Sequence, residues 1–197
     1  MSNTSPRPRK RDGAATREKI LAEALRLFAH RGYDATSIRD ISTAVGVADA
    51  ALYRHFPSKE EIASAVFVRH YSALAGRISQ IATRPQPTAA IVNDLIALLC
   101  DLFDAEQDVF TFLLIHQYDH LRYVELSGNP VEEITAIMRA GIERGDIRVA
   151  SAELAAAVAL GAAIQPAVFT LYGRLKGPLT EKQEEIANAV SRALGLV

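Results

Sequence analysis

The sequence predicts an all-α protein: a small N-terminal three-helix domain of the helix-turn-helix kind, followed by a larger helical bundle, about nine helices in all. Three observations carry this reading. Apolar residues recur at helical spacing along most of the chain, no run alternates with the period of a strand, and breakers cut the pattern into segments. Hydrophobic residues make up 49% of the 197 and charged residues 23%, which excludes a disordered chain and leaves enough apolar surface for a real core.

The first helix is "TREKILAEALRLFAHRGY", with Ile20, Ala24, Leu27 and Phe28 on one face. Thr16 is its candidate N-cap and Gly32 its stop. A second, short helix starts at "ATSIRDISTAV". Ser37 and Asp40 stand there like a capping box with Asp in place of Glu. It ends near Val45–Gly46, where glycine can take positive φ. The third helix lies in "GVADAALYRHF" and stops at Phe56–Pro57, because a residue before proline avoids α geometry. "PSKEEI" restarts a helix, with Ser58 as N-cap and Glu61 as partner, that runs to about Thr83. "RPQP" (84–87) breaks it. Helices are then expected over 88–105, 106–126, 130–144, 151–175 and 180–194, punctuated by "SGNP", "RGD" and "KGP". The expected organisation is a disordered basic tail over 1–15, a helix-turn-helix domain over 16–66 with a connecting helix to about 83, and a bundle over 84–197.

The net charge of −1 conceals an asymmetry: residues 1–60 carry 11 Lys/Arg against 7 Asp/Glu, and the remainder 11 against 16. Arg7, Arg9, Lys10 and Arg11 crowd into the first residues. A basic end on an acidic body suggests that this end meets a polyanion. The lone Cys100 cannot form an internal disulfide and suits a reducing cytoplasm. The longest apolar run, Leu154 to Ile164, is 11 residues, short of the ~18 a membrane span needs. Basic residues at the start are not followed by the apolar stretch of a signal peptide, so no membrane role and a cytoplasmic location are expected.

At "G-Y-D-A-T-S-I-R-D-I" and "V-G-V-A-D-A-A-L-Y-R-H-F-P-S-K-E" the chain resembles the TetR family of bacterial transcriptional regulators, in detail over residues 16–66. The resemblance implies a homodimer that binds a palindromic double-stranded DNA operator and releases it when a small molecule enters the C-terminal bundle. It also implies backbone contacts from Tyr53 and Lys59. Physically, Leu52 and Phe56 should face inward with Ile38, Ile41 and Val45, leaving Tyr53, His55 and Lys59 outside within reach of phosphates. Thr36 and Ser37 offer hydroxyls and free amides at the start of the second helix. Arg54 is placed to reach DNA or solvent. Members of the family often carry Ser or Thr and then basic groups at the head of the third helix. This chain has Ala48, Asp49 and Ala50. An Asp can accept from cytosine N4 and an Ala can touch a thymine methyl, but neither makes the bidentate guanine contact. Asp49 can equally stabilise the helix N-terminus. Arg39 and the tail residues Arg7, Arg9, Lys10 and Arg11 are then the main donors, the tail being expected to track a minor groove.

In the bundle, "SAELAAAVALGAAIQPAVFTLYGRL" and "EEIANAVSRALGLV" are candidates for a four-helix homodimer interface built from the last two helices of each chain. Phe103, Phe110, His116 and His120 on the middle helices, and Gln165, Phe169 and Tyr172 on the later one, are candidates to line a pocket for an unknown effector. A kink is expected at Pro166. His116 and His120, with Asp119 beside them, have a spacing that can hold zinc, yet no third His or Cys joins them, so no metal or cofactor is expected. The leading reading is a ligand-responsive repressor. A ligand-independent architectural DNA-binding protein is the alternative, and a metal-dependent enzyme built on His116/His120 is remote, since no phosphate loop, nucleophile elbow or metal signature supports it.

Overall fold

The computed structural model describes residues 10–120 and 128–196, side chains 10–12 and 117–120 excepted. Among these residues it is all helix: α1 (Lys10–Arg31), α2 (Ile38–Val45), α3 (Asp49–Tyr53), α4 (Lys59–Ala82), α5 (Thr88–Ala105), α6 (Gln107–His120), α7 (Pro130–Glu143), α8 (Ala152–Leu171) and α9 (Gln183–Leu194). Arg7 and Arg9 lie outside the described residues, as do the side chains of Lys10, Arg11, Asp119 and His120.

Helix α1 departs from the expected disordered tail of 1–15: it is already helical at Lys10, so Thr16 is an interior residue and not a cap. Lys, Arg and the Ala14–Ala15 pair favour helix strongly enough to carry Gly13, which costs about 1 kcal/mol relative to alanine. Downstream, Ser37, Ser58, Asn129 and Ser151 each accept a backbone N–H at the head of their helices. Helix α8 runs through Pro166 and ends at Leu171, short of the expected 175, and Gly173 at φ 68° turns the chain away. The expected helix from 180 begins as a single 3-10 turn over Thr180–Lys182, with α9 following from Gln183. Asp104 of α5 organises that turn: its carboxylate accepts the Leu179 N–H at 3.0 Å, the Thr180 N–H at 2.9 Å and the Thr180 hydroxyl at 2.8 Å.

One apolar cluster extends from Ile20 in α1 to Leu194 in α9. Helix α4 is its axis, packing against α1, α6 and α7, while α8 lies between α7 and α9. A close approach explains Gly141 of α7: a Cβ there would stand 2.7 Å from Ile147 Cδ1 and 3.1 Å from Thr88 Cγ2. By length and composition α8 could cross a membrane, a span longer than the 11-residue run had suggested. Its Ala155, Ala156, Ala159, Ala163 and Ala167 side is nonetheless buried in the bundle. Gln165, Phe169 and Tyr172 form the opposite, exposed side, with Phe169 at 49% and Tyr172 at 74%.

Candidate nucleic-acid interface and effector cavity

Helices α2 and α3 form a helix-turn-helix. Ser37 accepts the Asp40 N–H at 3.1 Å and the Asp40 carboxylate accepts the Ser37 N–H at 2.8 Å, which is the reciprocal capping box. Hydrogen bonds from the Ser37 hydroxyl and then its backbone hold the Asp40 carboxyl below the usual carboxylate range. Gly46 turns the chain at φ 78°, its N–H donating to the Ser42 and Thr43 carbonyls. Ala48 heads α3 without a side-chain cap. Asp49 does not cap either: it accepts from the hydroxyl of Ser42 in α2, which is 2% exposed, and so joins the two helices. Leu52, Phe56 and Ile41 are buried, with Ile38 and Val45 packed on them, as the residue types require.

Of the residues nominated for DNA in this unit, Ser37, Arg39, Ala48, Asp49, Ala50, Tyr53 and Arg54 are exposed, with Tyr53 at 51%. Thr36 and Lys59, expected at phosphates, are both engaged within the fold. Thr36 is buried and its hydroxyl donates to the Gly32 carbonyl at 2.8 Å, closing the turn after α1. The Lys59 ammonium donates to the Tyr33 carbonyl at 2.8 Å and the Thr36 carbonyl at 2.9 Å, and stands 4.1 Å from the Tyr33 ring centroid. A cation this close to two carbonyls and a π face is engaged within the fold. His55 is half-buried beside α1, its Cε1 3.9 Å from where a Cβ of Gly13 would stand. Arg17 covers the Phe56 ring at 4.7 Å.

Inside the bundle lies a cavity of about 100 Å³ that opens to solvent. Helix α4 contributes Tyr71, Leu74 and Ile78, α5 Leu99 and Leu102, and α6 Phe110, Leu113 and Leu114. Helix α7 adds Pro130, Val131 and Ile134, and α8 adds Leu160 and Ile164. Among the described residues of this lining, Tyr71 is the one whose side chain can form a hydrogen bond. Of the residues the sequence nominated, Phe110 lines the cavity and buried Phe103 supports it edge-on, with ring centroids 5.2 Å apart. Gln165, Phe169 and Tyr172 do not reach it: each is exposed, and Gln165 follows Ile164 by one residue, about 100° around the helix. The α4 contribution was legible as an apolar 71/74/78 stripe, but reading α4 as a connector concealed it.

His116 is likewise not at the cavity. Its ring lies 4.7 Å from Phe112 and 5.9 Å from Tyr33, at the seam between α6 and the helix-turn-helix unit. There Phe112 stacks on Phe28 of α1 at 5.8 Å, and His30 Nε2 stands 3.3 Å from Asp108 Oδ1. The seam thus meets Tyr33, which Lys59 holds from the head of α4. Among the described residues no group of three His, Cys, Asp or Glu is placed to hold a metal.

Residues 20–66 match the family model described as bacterial regulatory proteins, tetR family. The HTH-type transcriptional repressor KstR2 of Mycolicibacterium smegmatis is 33% identical over 116 residues, 57% of this chain and 54% of that protein. KstR2 of Rhodococcus jostii is 28% identical over 138 residues, 67% of this chain and 68% of that protein. The match therefore spans about half the length of the first relative. The transcriptional regulator FadR of Bacillus subtilis, solved with stearoyl-CoA, superposes with a TM-score of 0.72 at 18% identity, covering 88% of this chain and 96% of that one. The capped α2, the Gly46 turn and α3 are thus seated in the matched segment, and the whole chain follows the fold of such regulators. Over residues 20–66 the chain is thus similar to the bacterial regulatory proteins of the tetR family.

Proposed function

We propose that this chain is a cytoplasmic transcriptional repressor that binds a palindromic operator as a homodimer and leaves it when an apolar effector enters the bundle. The observation that carries the reading is a shared helix. Helix α4 begins by clamping the Tyr33–Thr36 loop ahead of α2 and continues as a wall of the cavity. Anything that moves α4 to fill or empty the cavity also acts on the helix-turn-helix. Tyr53, Ser37, Arg39 and Arg54 are the DNA-facing donors, with Ala48, Asp49 and Ala50 presenting a small surface to the groove. His55 is a flanking contact. The basic residues Arg7, Arg9, Lys10 and Arg11 add phosphate contacts. Low donor content in α3 favours recognition that leans on DNA shape.

The dimer forms through the exposed side of α8, where Leu154, Phe169 and Tyr172 stand out with Gly161 and Gln165 between them, together with α9. The effector contains a hydrocarbon portion, because among the described residues twelve of the thirteen cavity-lining side chains offer only carbon. The stearoyl-CoA bound by FadR of Bacillus subtilis makes acyl thioesters the first class to screen. The cavity favours this reading over a ligand-independent architectural protein.

Selection of bound sequences from random DNA, followed by a screen for release by acyl thioesters, tests it. A palindromic site released by at least one of them is the expected result. Selection of no palindrome at physiological salt refutes operator binding, and an operator that no apolar molecule releases supports the architectural alternative.

A further inference from the structure

Tyr71 stands out because the other described side chains of its cavity are carbon. Its hydroxyl donates to Asn129 Oδ1 at 3.2 Å, long for an O–H···O bond, whose usual length is about 2.7–2.8 Å. That same oxygen accepts the Val131 N–H at 2.9 Å and thereby caps α7, whose first residues Pro130 and Val131 form part of the cavity wall. Asn129 thus has a full-strength partner without Tyr71, whereas Tyr71 has a weak one. A hydroxyl can turn about its C–O bond at little cost, so it can exchange this partner for a better acceptor inside the cavity while α7 stays capped. Burial, and the Glu132 charge after it, raise the Tyr71 pKa above the ordinary phenol value, so the proton remains available to donate at neutral pH.

We infer that Tyr71 is the specificity-determining residue of the cavity: its hydroxyl leaves Asn129 to donate to a carbonyl-type acceptor carried on an otherwise apolar effector. This rests on the reading of the cavity as the effector site. It selects ketones, esters and thioesters over plain hydrocarbons of the same size, because among the described residues no other lining side chain offers a donor. A hydrocarbon fills the same space and leaves the Tyr71–Asn129 bond in place.

The test uses the full chain and displacement of a fluorescent apolar dye by methyl nonanoate or 1-dodecene, which have equal numbers of heavy atoms. Comparing each ligand between proteins cancels the difference in their hydrophobicity. Tyr71→Phe should weaken methyl nonanoate about tenfold, the size of one hydrogen bond, and leave 1-dodecene unchanged. Asn129→Ser keeps a good cap but withdraws the acceptor from Tyr71, and should tighten the ester roughly threefold with no effect on the alkene. Equal changes for the two ligands, or no change for either, overturn the inference, and thermal unfolding of each variant guards against misfolding. Ile134→Trp, which fills the cavity, should abolish both ligands. If wild type binds both ligands and Ile134→Trp does too, the cavity reading fails and this inference with it; binding by neither protein overturns both as well.

Discussion

Replacing Lys59 with methionine separates two roles that the family resemblance and the structure give to one residue. Methionine keeps most of the apolar stem and deletes the ammonium, hence two charge-assisted hydrogen bonds, to the Tyr33 and Thr36 carbonyls, and the cation lying 4.1 Å from the Tyr33 ring centroid. Bonds to charged groups contribute about 1.5–3 kcal/mol each, and a cation over an aromatic face about 0.5–1 kcal/mol at a partly exposed site. The site is half-buried and water can resolvate the carbonyls, so the low end applies and the loss should be about 3 kcal/mol. For a chain of this length each kcal/mol shifts Tm by about 2–4 °C, so Lys59→Met should melt about 6–12 °C lower. Thermal unfolding by circular dichroism reads the stability, and binding to operator or bulk DNA at several salt concentrations reads the charge contacts. The clamp role predicts a large fall in Tm with little change in salt slope. An unchanged Tm, with the slope shallower by about one phosphate contact, would refute it and make Lys59 a DNA ligand.

Asp49→Ala should cost about 1 kcal/mol in urea unfolding by removing the charged acceptor of the Ser42 hydroxyl, which then keeps only the Arg39 carbonyl at 3.0 Å. The same change should tighten non-specific DNA binding by removing an exposed carboxylate; weaker binding would make Asp49 a base reader. Gly141→Ala should destabilise by about 1–3 kcal/mol through the 2.7 Å approach of its Cβ to Ile147 Cδ1, and Ile147→Val, which deletes that methyl, should restore part of the loss in the double variant. At Asp104, burial pushes the pKa up, but the Thr180 and Leu179 N–H groups and the Thr180 hydroxyl outweigh it and lower the net value. A lowered folded-state pKa gives stability that is present above the unfolded value, near pH 4, and is lost as pH falls through the folded one. Acid titration of stability should therefore be shallower for Asp104→Asn than for wild type, and identical curves would show that the α5–α9 link does not hold its charge.

Local chemistry was legible where it acts within a few residues. The Ser37–Asp40 box, the Gly46 turn and the Ser58 cap each depend on neighbours in the chain, and each is in place, whereas α3 ends at Tyr53, ahead of the expected stop at Phe56–Pro57. Helix α5 starts at Thr88 because "RPQP" leaves no earlier choice. What was not legible depends on rotation and on distant partners. Lys59 looked like a free cation because its carbonyl partners lie 26 and 23 residues away. Gln165, Phe169 and Tyr172 share one face of α8, but only its packing between α7 and α9 reveals that the face is outward. His116 sits among aromatics, as its neighbours suggested, yet the aromatics belong to the α1–α6 seam.

That seam bears on how such a protein can be rebuilt. Phe28 belongs to the helix-turn-helix core and stacks on Phe112 of the bundle, while Tyr33 is shared by Lys59 and His116. A chimera that grafts residues 1–66 onto a foreign sensor would strip one ring from the reader and leave another facing an unmatched surface. The modular unit for transplanting the helix-turn-helix is therefore that unit together with the α6 face that completes it, and a junction placed at the "RPQP" break divides the molecule where the chain is simplest to cut and the packing is not.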